Sequence, residues 1–321
     1  MQQILVSIYC LAYNHEEYIR DALEGFVNQK TTFNYEVIVH DDASTDNTAE
    51  IIQEYAEKYP NIIKPIFQKE NQLSQGIEII KKYICPKLTG KYVAVCEGDD
   101  YWCDTNKLQM QVDFLENHND YVACVHNTKV FNCVTGEETF INSSMHDMDI
   151  QFKKVVESGN SQFQISSLMC RKEYFELPDI LRAKGFTDYP LSIYLMFNGK
   201  IRYLKETMSV YRWFTKGSWT SRNYLNVSKE NQLQRQKDLL DFLYNLKQYT
   251  KTHNINKNYY EDIVKVVRIQ EVKLLLLEEN GKKILENYKD IYDDLSMLEK
   301  LKLRFPRLRK NIRKLRGIKE R

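Results

Sequence analysis

Four short apolar runs rich in β-branched residues, at 5–11, 36–40, 62–67 and 92–96, alternate with segments of helical periodicity at 16–29, 48–58 and 76–88. No other feature restricts the fold as much. Strand-length runs separated by whole helices read as parallel strands with helical crossovers rather than hairpins. The helix at 48–58 is preceded by Ser44-Thr45-Asp46-Asn47, good material for capping its first turn. The expected fold class is α/β, a mostly parallel sheet flanked by helices. Ligands of such sheets bind outside the carboxyl ends of the strands, so the residues just after each run carry the most information.

Those residues are polar and acidic. The first run ends in Ala12-Tyr13-Asn14-His15-Glu16, the second in Asp41-Asp42-Ala43-Ser44, the fourth in Glu97-Gly98-Asp99-Asp100-Tyr101-Trp102. Clustered carboxylates repel one another unless a cation neutralises them, and oxygen ligands of this type suit Mg²⁺ or Mn²⁺. The plainer reading is a solvated acidic turn, but the apolar run 92–96 looks like a buried strand that delivers the acids to the ligand edge. Either Asp41 or Asp42 could accept a hydrogen bond from a nucleotide base or cap a helix, a duty for which Asp46 is better placed. Tyr13 could stack on a base or be an ordinary half-buried aromatic.

Further along, strand-like runs recur at 165–171, 201–204 and 209–213, with a helix at 190–198 between them. Beyond residue 223 the pattern is helical, carried by Leu233, Leu239, Leu240, Leu243 and Leu246 and then by 266–277. This suggests a boundary near 222, between an α/β domain over 1–222 and a helical C-terminal region over 223–321. The seven cysteines form no C-x-x-C pair and sit mostly in apolar runs, which fits reduced, buried thiols. No run is long enough to span a bilayer, and no basic leader precedes the first strand. A cytoplasmic setting is expected. Histidines are scattered without zinc spacing.

The ordered set of motifs resembles glycosyltransferase family 2, with its GT-A fold. The resemblance runs from Val6-Ser7-Ile8 through Ala12-Tyr13-Asn14, then from Val37 to Asp46 and from Gly90 to Trp102, with Asn71 and Gly76 between. Phe186-Thr187-Asp188-Tyr189-Pro190-Leu191 and Met208-Ser209-Val210-Tyr211-Arg212 resemble the motifs that close that catalytic domain. About two-thirds of the chain is covered. The resemblance implies that Tyr13 packs on the base and Asp42 binds it, usually uracil, with Asn71 and Asp99 also lining the nucleotide site. It implies a Mn²⁺ or Mg²⁺ ion at Asp99, with Glu97 at the first position of the D-x-D-type motif and Asp100 alongside. Asp188 is the implied catalytic base; its plainer role is a helix N-cap before Pro190. Two departures stand out. The first acid is Glu97, one methylene longer than the usual Asp. Where relatives often carry a histidine after the Tyr-Arg pair, this chain reads Trp213-Phe214-Thr215-Lys216, leaving Arg212 or Lys216 as sources of positive charge.

The expected reaction is one inverting displacement, moving a hexose or N-acetylhexosamine from a UDP-sugar to a glycan or lipid-linked acceptor in surface-polysaccharide synthesis. A nicotinamide dehydrogenase is disfavoured because G-x-G-x-x-G is missing after the first strand, and a sugar-phosphate nucleotidyltransferase because its Gly-rich phosphate loop is missing there. A catalytically inactive nucleotide-sugar-binding or assembly subunit stays as the alternative. Residues 301–321 hold ten Lys/Arg against one Glu, although the whole chain is only +2. Leu308, Ile312 and Leu315 recur there at helical spacing. Segment 306–321 thus points to an anionic membrane surface, with a solvated tail or a partner subunit as the plainer readings. Nucleic acid is not expected, since no aromatic platform is interleaved with the charges. Self-association stays open.

Overall fold

The computed structural model describes residues 3–159, 162–224, 228–278, 287, 288 and 291. The segment 306–321 lies outside the described residues. The chain forms two compact units, one of 1–179 with 186–225, the other of 180–185 with 226–321.

The first unit is built on a ten-stranded sheet. In chain order the strands are β1 (Ile4–Ala12), β2 (Asn34–Asp41), β3 (Ile63–Phe67), β4 (Tyr92–Val95), β5 (Tyr101–Trp102), β6 (Tyr121–Asn132), β7 (Glu138–Phe140), β8 (Met148–Asp149), β9 (Met169–Arg171) and β10 (Lys200–Trp213). The main order is β3-β2-β1-β4-β9-β6-β10-β5, with β7 on β6 and β8 on β10. The long ladders, β1–β2, β2–β3, β1–β4 and β6–β10, are parallel, and the antiparallel pairings made by β5, β7, β8 and β9 are short. The helices are α1 (Ile19–Val27), α2 (Thr48–Lys58), α3 (Lys107–Asn117), α4 (Phe152–Ser158), α5 (Asp188–Asn198) and α6 (Trp219–Tyr224).

The core follows from this layering. Val6, Ile8 and Cys10 of β1 and Val37 and Val39 of β2 are wholly buried with Ile19, Leu23 and Phe26 of α1. Alternate strand positions and the i, i+4, i+7 face of the helix meet as their periods require. Gly90 lets β1 and the approach to β4 touch: a Cβ there would lie 2.6 Å from the Ser7 nitrogen. The Ser7 hydroxyl accepts the Gly90 N–H at 2.8 Å and donates to Glu36 at 2.7 Å.

Three expectations change. The segment 76–88 is not one helix but a π-helical turn (Ile80–Ile84) followed by a 3₁₀ turn (Cys85–Lys87). Pro86, lacking an N–H, removes an α-helical bond there. The runs 201–204 and 209–213 belong to one strand, β10, whose ladder with β6 shifts register around Thr207 and so absorbs the polar interruption. The run 165–171 opens as a 3₁₀ turn (Ile165–Ser167) before β9.

The second unit is mainly helical among its described residues. α7 (Lys229–Thr252) and α8 (Lys257–Leu277) form a hairpin, capped by Ser228 and Asn256. Leu240, Leu243 and Leu246 are buried on α7, and Ile263, Val266 and Val267 on α8.

Candidate active site

The carboxyl ends of β1, β2 and β4 are tied into one edge. Asp42 N–H donates to the Ala12 carbonyl at 3.0 Å, and Gly98 N–H to the Leu11 carbonyl at 2.9 Å. The loops after β1 and β2 are cross-linked: Asn14 N–H donates to Ser44 Oγ at 2.9 Å, and His15 N–H to Thr48 Oγ1 at 2.7 Å. Among the described residues, three of the four non-glycine residues with positive φ, Asn14 (56°), Ala43 (61°) and Phe214 (65°), follow β1, β2 and β10. Each such residue costs on the order of 1 kcal/mol or more, and strain of this kind collects where a site over-determines the backbone.

The base-pocket candidates sit together on the β1–β2 side. Tyr13 is 43% exposed, free to receive a planar ligand. Asp42 is only 4% exposed. Its two carboxylate oxygens accept the N–H groups of Gln72 at 2.8 Å and Leu73 at 3.0 Å, so it caps the turn 73–75. Asn71 reinforces that turn, donating to the Asp42 carbonyl at 3.1 Å and accepting the Ser74 N–H at 2.8 Å. Asp41 is the acid turned to purely local duty, accepting from the Ser44 N–H and hydroxyl.

The three acids after β4 have distinct settings. Gly98 between them is required by space: a Cβ there would lie 2.9 Å from His15 Nδ1 and 3.1 Å from the Leu11 carbonyl. Glu97 reaches solvent but is hemmed in by protein, and this burial, then Asp99, then Asp188, push its carboxyl up to about 8. Asp99 accepts the buried Thr215 hydroxyl on Oδ2 at 2.8 Å. Asp100 is 1% exposed and accepts the Arg212 N–H at 2.9 Å. Burial and the neighbouring Asp99 raise its proton affinity strongly, against the pull of that N–H.

Asp188 opens α5, and its carboxyl is raised by burial, offset in part by a hydrogen bond from Thr187 at 3.2 Å. Its charge acts on Glu97 and on the buried Tyr9 phenol of β1, whose own proton affinity is raised first by burial, then by Asp188 and Glu97. A carboxylate with raised proton affinity at a strand edge is the chemistry of a general base.

Among the described residues, no three Asp, Glu, His or Cys side chains form a closed metal cage. A Mg²⁺- or Mn²⁺-type ion does not need one, since it takes one or two carboxylates and fills its shell with water and phosphate. The acids after β4 fit that use, because their mutual repulsion is what a cation relieves.

Arg212, one of the two candidate cations, is already committed. Its guanidinium donates to the Asp99 carbonyl at 3.1 Å, pairs with Asp21 of α1, and lies 4.5 Å from the Tyr101 ring centroid. It braces the acid loop. Lys216 is exposed. Thr215 lies in the Trp213–Lys216 segment that the sequence singles out, but is given no role there; the tertiary fold brings its hydroxyl to Asp99.

Comparison with known proteins follows this geometry. TuaG of Bacillus subtilis, a glycosyltransferase named for teichuronic acid biosynthesis, is 25% identical over 257 residues, covering 71% of this chain and 98% of its own. Mycobacterial relatives, uncharacterized by name, are 36% identical over 67% of this chain, a match that spans 61% of their own length. Among solved structures, S. aureus TarS in complex with UDP-GlcNAc aligns with a TM-score of 0.55 at 18% identity, covering 89% of each chain. The mannosyltransferase PcManGT of Pyrobaculum calidifontis, in complex with GDP-Man and Mn²⁺, aligns with a TM-score of 0.52 at 14% identity, covering 89% of this chain and 76% of its own. These neighbours share the GT-A fold expected from the sequence. The family model for glycosyl transferase family 2 matches residues 7–176, from β1 past β9, and the chain belongs to that family.

Proposed function

We propose that this chain is an inverting glycosyltransferase that moves a hexose or N-acetylhexosamine from a UDP-sugar to a glycan or lipid-linked acceptor in surface-polysaccharide synthesis. The observation that carries this reading is geometric: hydrogen bonds from Asp42 to Ala12 and from Gly98 to Leu11 tie the loops that bear Tyr13, Asp42 and the acids Glu97 and Asp99 into one edge, and the charge of Asp188 at the start of α5 is felt at Glu97. The UDP-GlcNAc bound by TarS supports the donor class, and the name of TuaG supports the setting.

In this reading Tyr13 packs on the uracil, while Asp42 and Asn71 shape the pocket beside it. Asp99 and Glu97, with Asp100 alongside, hold a Mn²⁺ or Mg²⁺ ion, which when bound acts as a Lewis acid for the diphosphate leaving group. Asp188 takes the proton of the acceptor hydroxyl as that oxygen attacks the anomeric carbon. The bond from that carbon to the diphosphate oxygen breaks on the opposite face, and the centre inverts. Tyr9 of β1, whose buried phenol feels the Asp188 charge, packs its ring on Phe175 with centroids 5.5 Å apart.

The test is a panel of nucleotide sugars with MnCl₂, comparing wild type with Asp188→Asn. The variant should bind UDP as wild type does and lose transfer by ~10²-fold or more, the scale of a lost general base. Near-full rate, or loss of UDP binding, removes Asp188 from the role. UDP-sugar binding by wild type with neither transfer nor hydrolysis favours the inactive binding or assembly subunit. No helix among the described residues is long and apolar enough to cross a membrane. For segment 306–321 the reading is docking on an anionic leaflet. Flotation with vesicles containing anionic lipid, comparing the full chain with one ending at residue 300, tests it; equal flotation rejects it.

A further inference from the structure

The end of β10 and the loop that follows it reach back to the acids after β4 at three points. Arg212 gives its backbone N–H to Asp100 Oδ1 at 2.9 Å and its guanidinium to the Asp99 carbonyl at 3.1 Å. Thr215 gives its hydroxyl to Asp99 Oδ2 at 2.8 Å. The first two contacts fix the loop's backbone and the buried acid. The third alone reaches the Asp99 carboxylate.

Thr215 is held for this contact. Its side chain is 1% exposed. Its carbonyl accepts the Ser218 N–H at 3.2 Å and the Ser221 hydroxyl at 2.6 Å. The residue before it, Phe214, adopts φ 65°, a left-handed conformation rare for a bulky side chain. That turn leaves the Trp213 and Phe214 rings stacked at 4.3 Å, with Trp213 37% exposed, while Thr215 turns inward.

We infer that Thr215 is a positioning residue for the cation: by donating to Oδ2 of Asp99 it fixes the carboxylate rotamer and leaves Oδ1 as the ligand atom. Among the described residues Oδ1 of Asp99 accepts no hydrogen bond. A carboxylate with one oxygen anchored loses less rotational freedom when a cation binds the other. Outer-shell groups of this kind orient metal ligands and set much of the metal affinity. The inference rests on the proposed metal-dependent function and adds a residue to it.

The experiment is calorimetric titration of MnCl₂ into the full chain saturated with UDP, for wild type, Thr215→Val, Thr215→Ala, Thr215→Ser and Asp99→Asn. Thr215→Val and Thr215→Ala should weaken Mn²⁺ binding by ~10-fold or more, as loss of an outer-shell partner does. Thr215→Ser, which keeps the hydroxyl, should bind within about twofold of wild type, and UDP affinity measured without metal should stay unchanged in the three Thr215 variants. Thermal melts identify a variant that does not fold, and the two hydroxyl-free variants back each other up. Wild-type Mn²⁺ affinity in Thr215→Val or Thr215→Ala, with Asp99→Asn impaired, overturns the role of Thr215 and leaves the metal site standing. A Thr215→Ser variant as weak as Thr215→Val also overturns it. If wild type binds no Mn²⁺ in the presence of UDP, the metal reading falls and the role of Thr215 falls with it.

Discussion

Lys107 places its ammonium 3.8 Å from the centroid of the Trp102 indole, with no solvent exposure. Its hydrogen bond goes to Gln111 Oε1 at 2.7 Å, one turn along α3, and Gln111 in turn donates to the carbonyls of Cys124 and Ser167. Trp102 closes the acid loop and donates its indole N–H to the Ser166 carbonyl at 2.8 Å. A buried cation therefore braces the rear of the candidate site, through the ring face rather than through a carboxylate.

That placement has a pH signature. Burial pulls the Lys107 ammonium down to about 7, against the ordinary lysine value near 10.4 that the unfolded chain keeps. Between these values the native state binds fewer protons than the unfolded state, so this group's contribution to stability improves as pH rises from about 7 to about 10. Lys107→Met removes the titration. Wild type should therefore gain on the variant in melting temperature across that window, as measured by circular dichroism at half-unit steps. A gap that stays constant with pH would show that the folded state keeps the amine as protonated as the unfolded chain does, with no burial penalty on its charge.

Glu97 titrates with the opposite consequence. Burial, then Asp99, then Asp188 raise its carboxyl to about 8, against an unfolded value near 4.3. The native state binds more protons in between, so stability is lost as pH rises through that window. Relative to Glu97→Gln, metal-free wild type should melt at progressively lower temperature from pH 5 to pH 8. Adding MgCl₂ with UDP should recover the loss, most at the high end where the acids are charged. A pH-independent difference between the two proteins contradicts this.

Tyr13 and Asp42 should separate affinity from stability. Tyr13 is exposed, so Tyr13→Ala should lower UDP affinity by about 1 kcal/mol, the scale of a lost stacking contact, and leave the melting temperature unchanged. Asp42 holds two backbone N–H groups of the turn 73–75, and hydrogen bonds to a charged group each contribute about 1.5–3 kcal/mol. Asp42→Ala should therefore lower both stability and UDP affinity. Denaturation and calorimetry on both variants check this, and an Asp42→Ala protein as stable as wild type would remove the capping role.

Much of this was legible from residues 1–102, because β1, β2 and β4 are carried by β-branched apolar runs and the polar or acidic residues at their ends advertise the ligand edge. The elements α3 and β6 were not. β6 carries His126, Asn127 and Thr128 as buried residues in its middle, so its apolar pattern stops short of its real length. Two of them are held by bonds from distant residues, Thr128 by Ser209 of β10 at 2.9 Å and Asn127 by the Asn142 N–H at 3.2 Å, which no local pattern announces. β10 looked like two strands because Lys205, Glu206 and Thr207 interrupt it, and the sheet takes up the interruption as a register shift. Asp188 could be picked out by its motif, whereas the bracing by Arg212 and Thr215 arises between segments more than a hundred residues apart and exists only in three dimensions.

Gly98 offers the most direct link between backbone space and the acids. A methyl group there would meet His15 Nδ1 at 2.9 Å, Ile19 Cδ1 at 3.0 Å and the Leu11 carbonyl at 3.1 Å. The His15 and Ile19 side chains can yield by rotating. The Leu11 carbonyl cannot move freely, because it accepts the Gly98 N–H at 2.9 Å and belongs to the central strand β1. The loop must therefore shift away from β1, and it carries Glu97 and Asp99 with it. Overpacking of this kind costs about 1–3 kcal/mol. Gly98→Ala should thus remain folded, with a melting temperature lowered by several degrees, and should lose Mn²⁺ affinity in the presence of UDP out of proportion to that modest instability. UDP binding through the exposed Tyr13 ring should change less than Mn²⁺ binding. Calorimetry with MnCl₂ and with UDP separately, alongside thermal melts, tests the division. A variant that keeps wild-type Mn²⁺ affinity would mean that the acids are not held in register by the β1–β4 contact at Gly98.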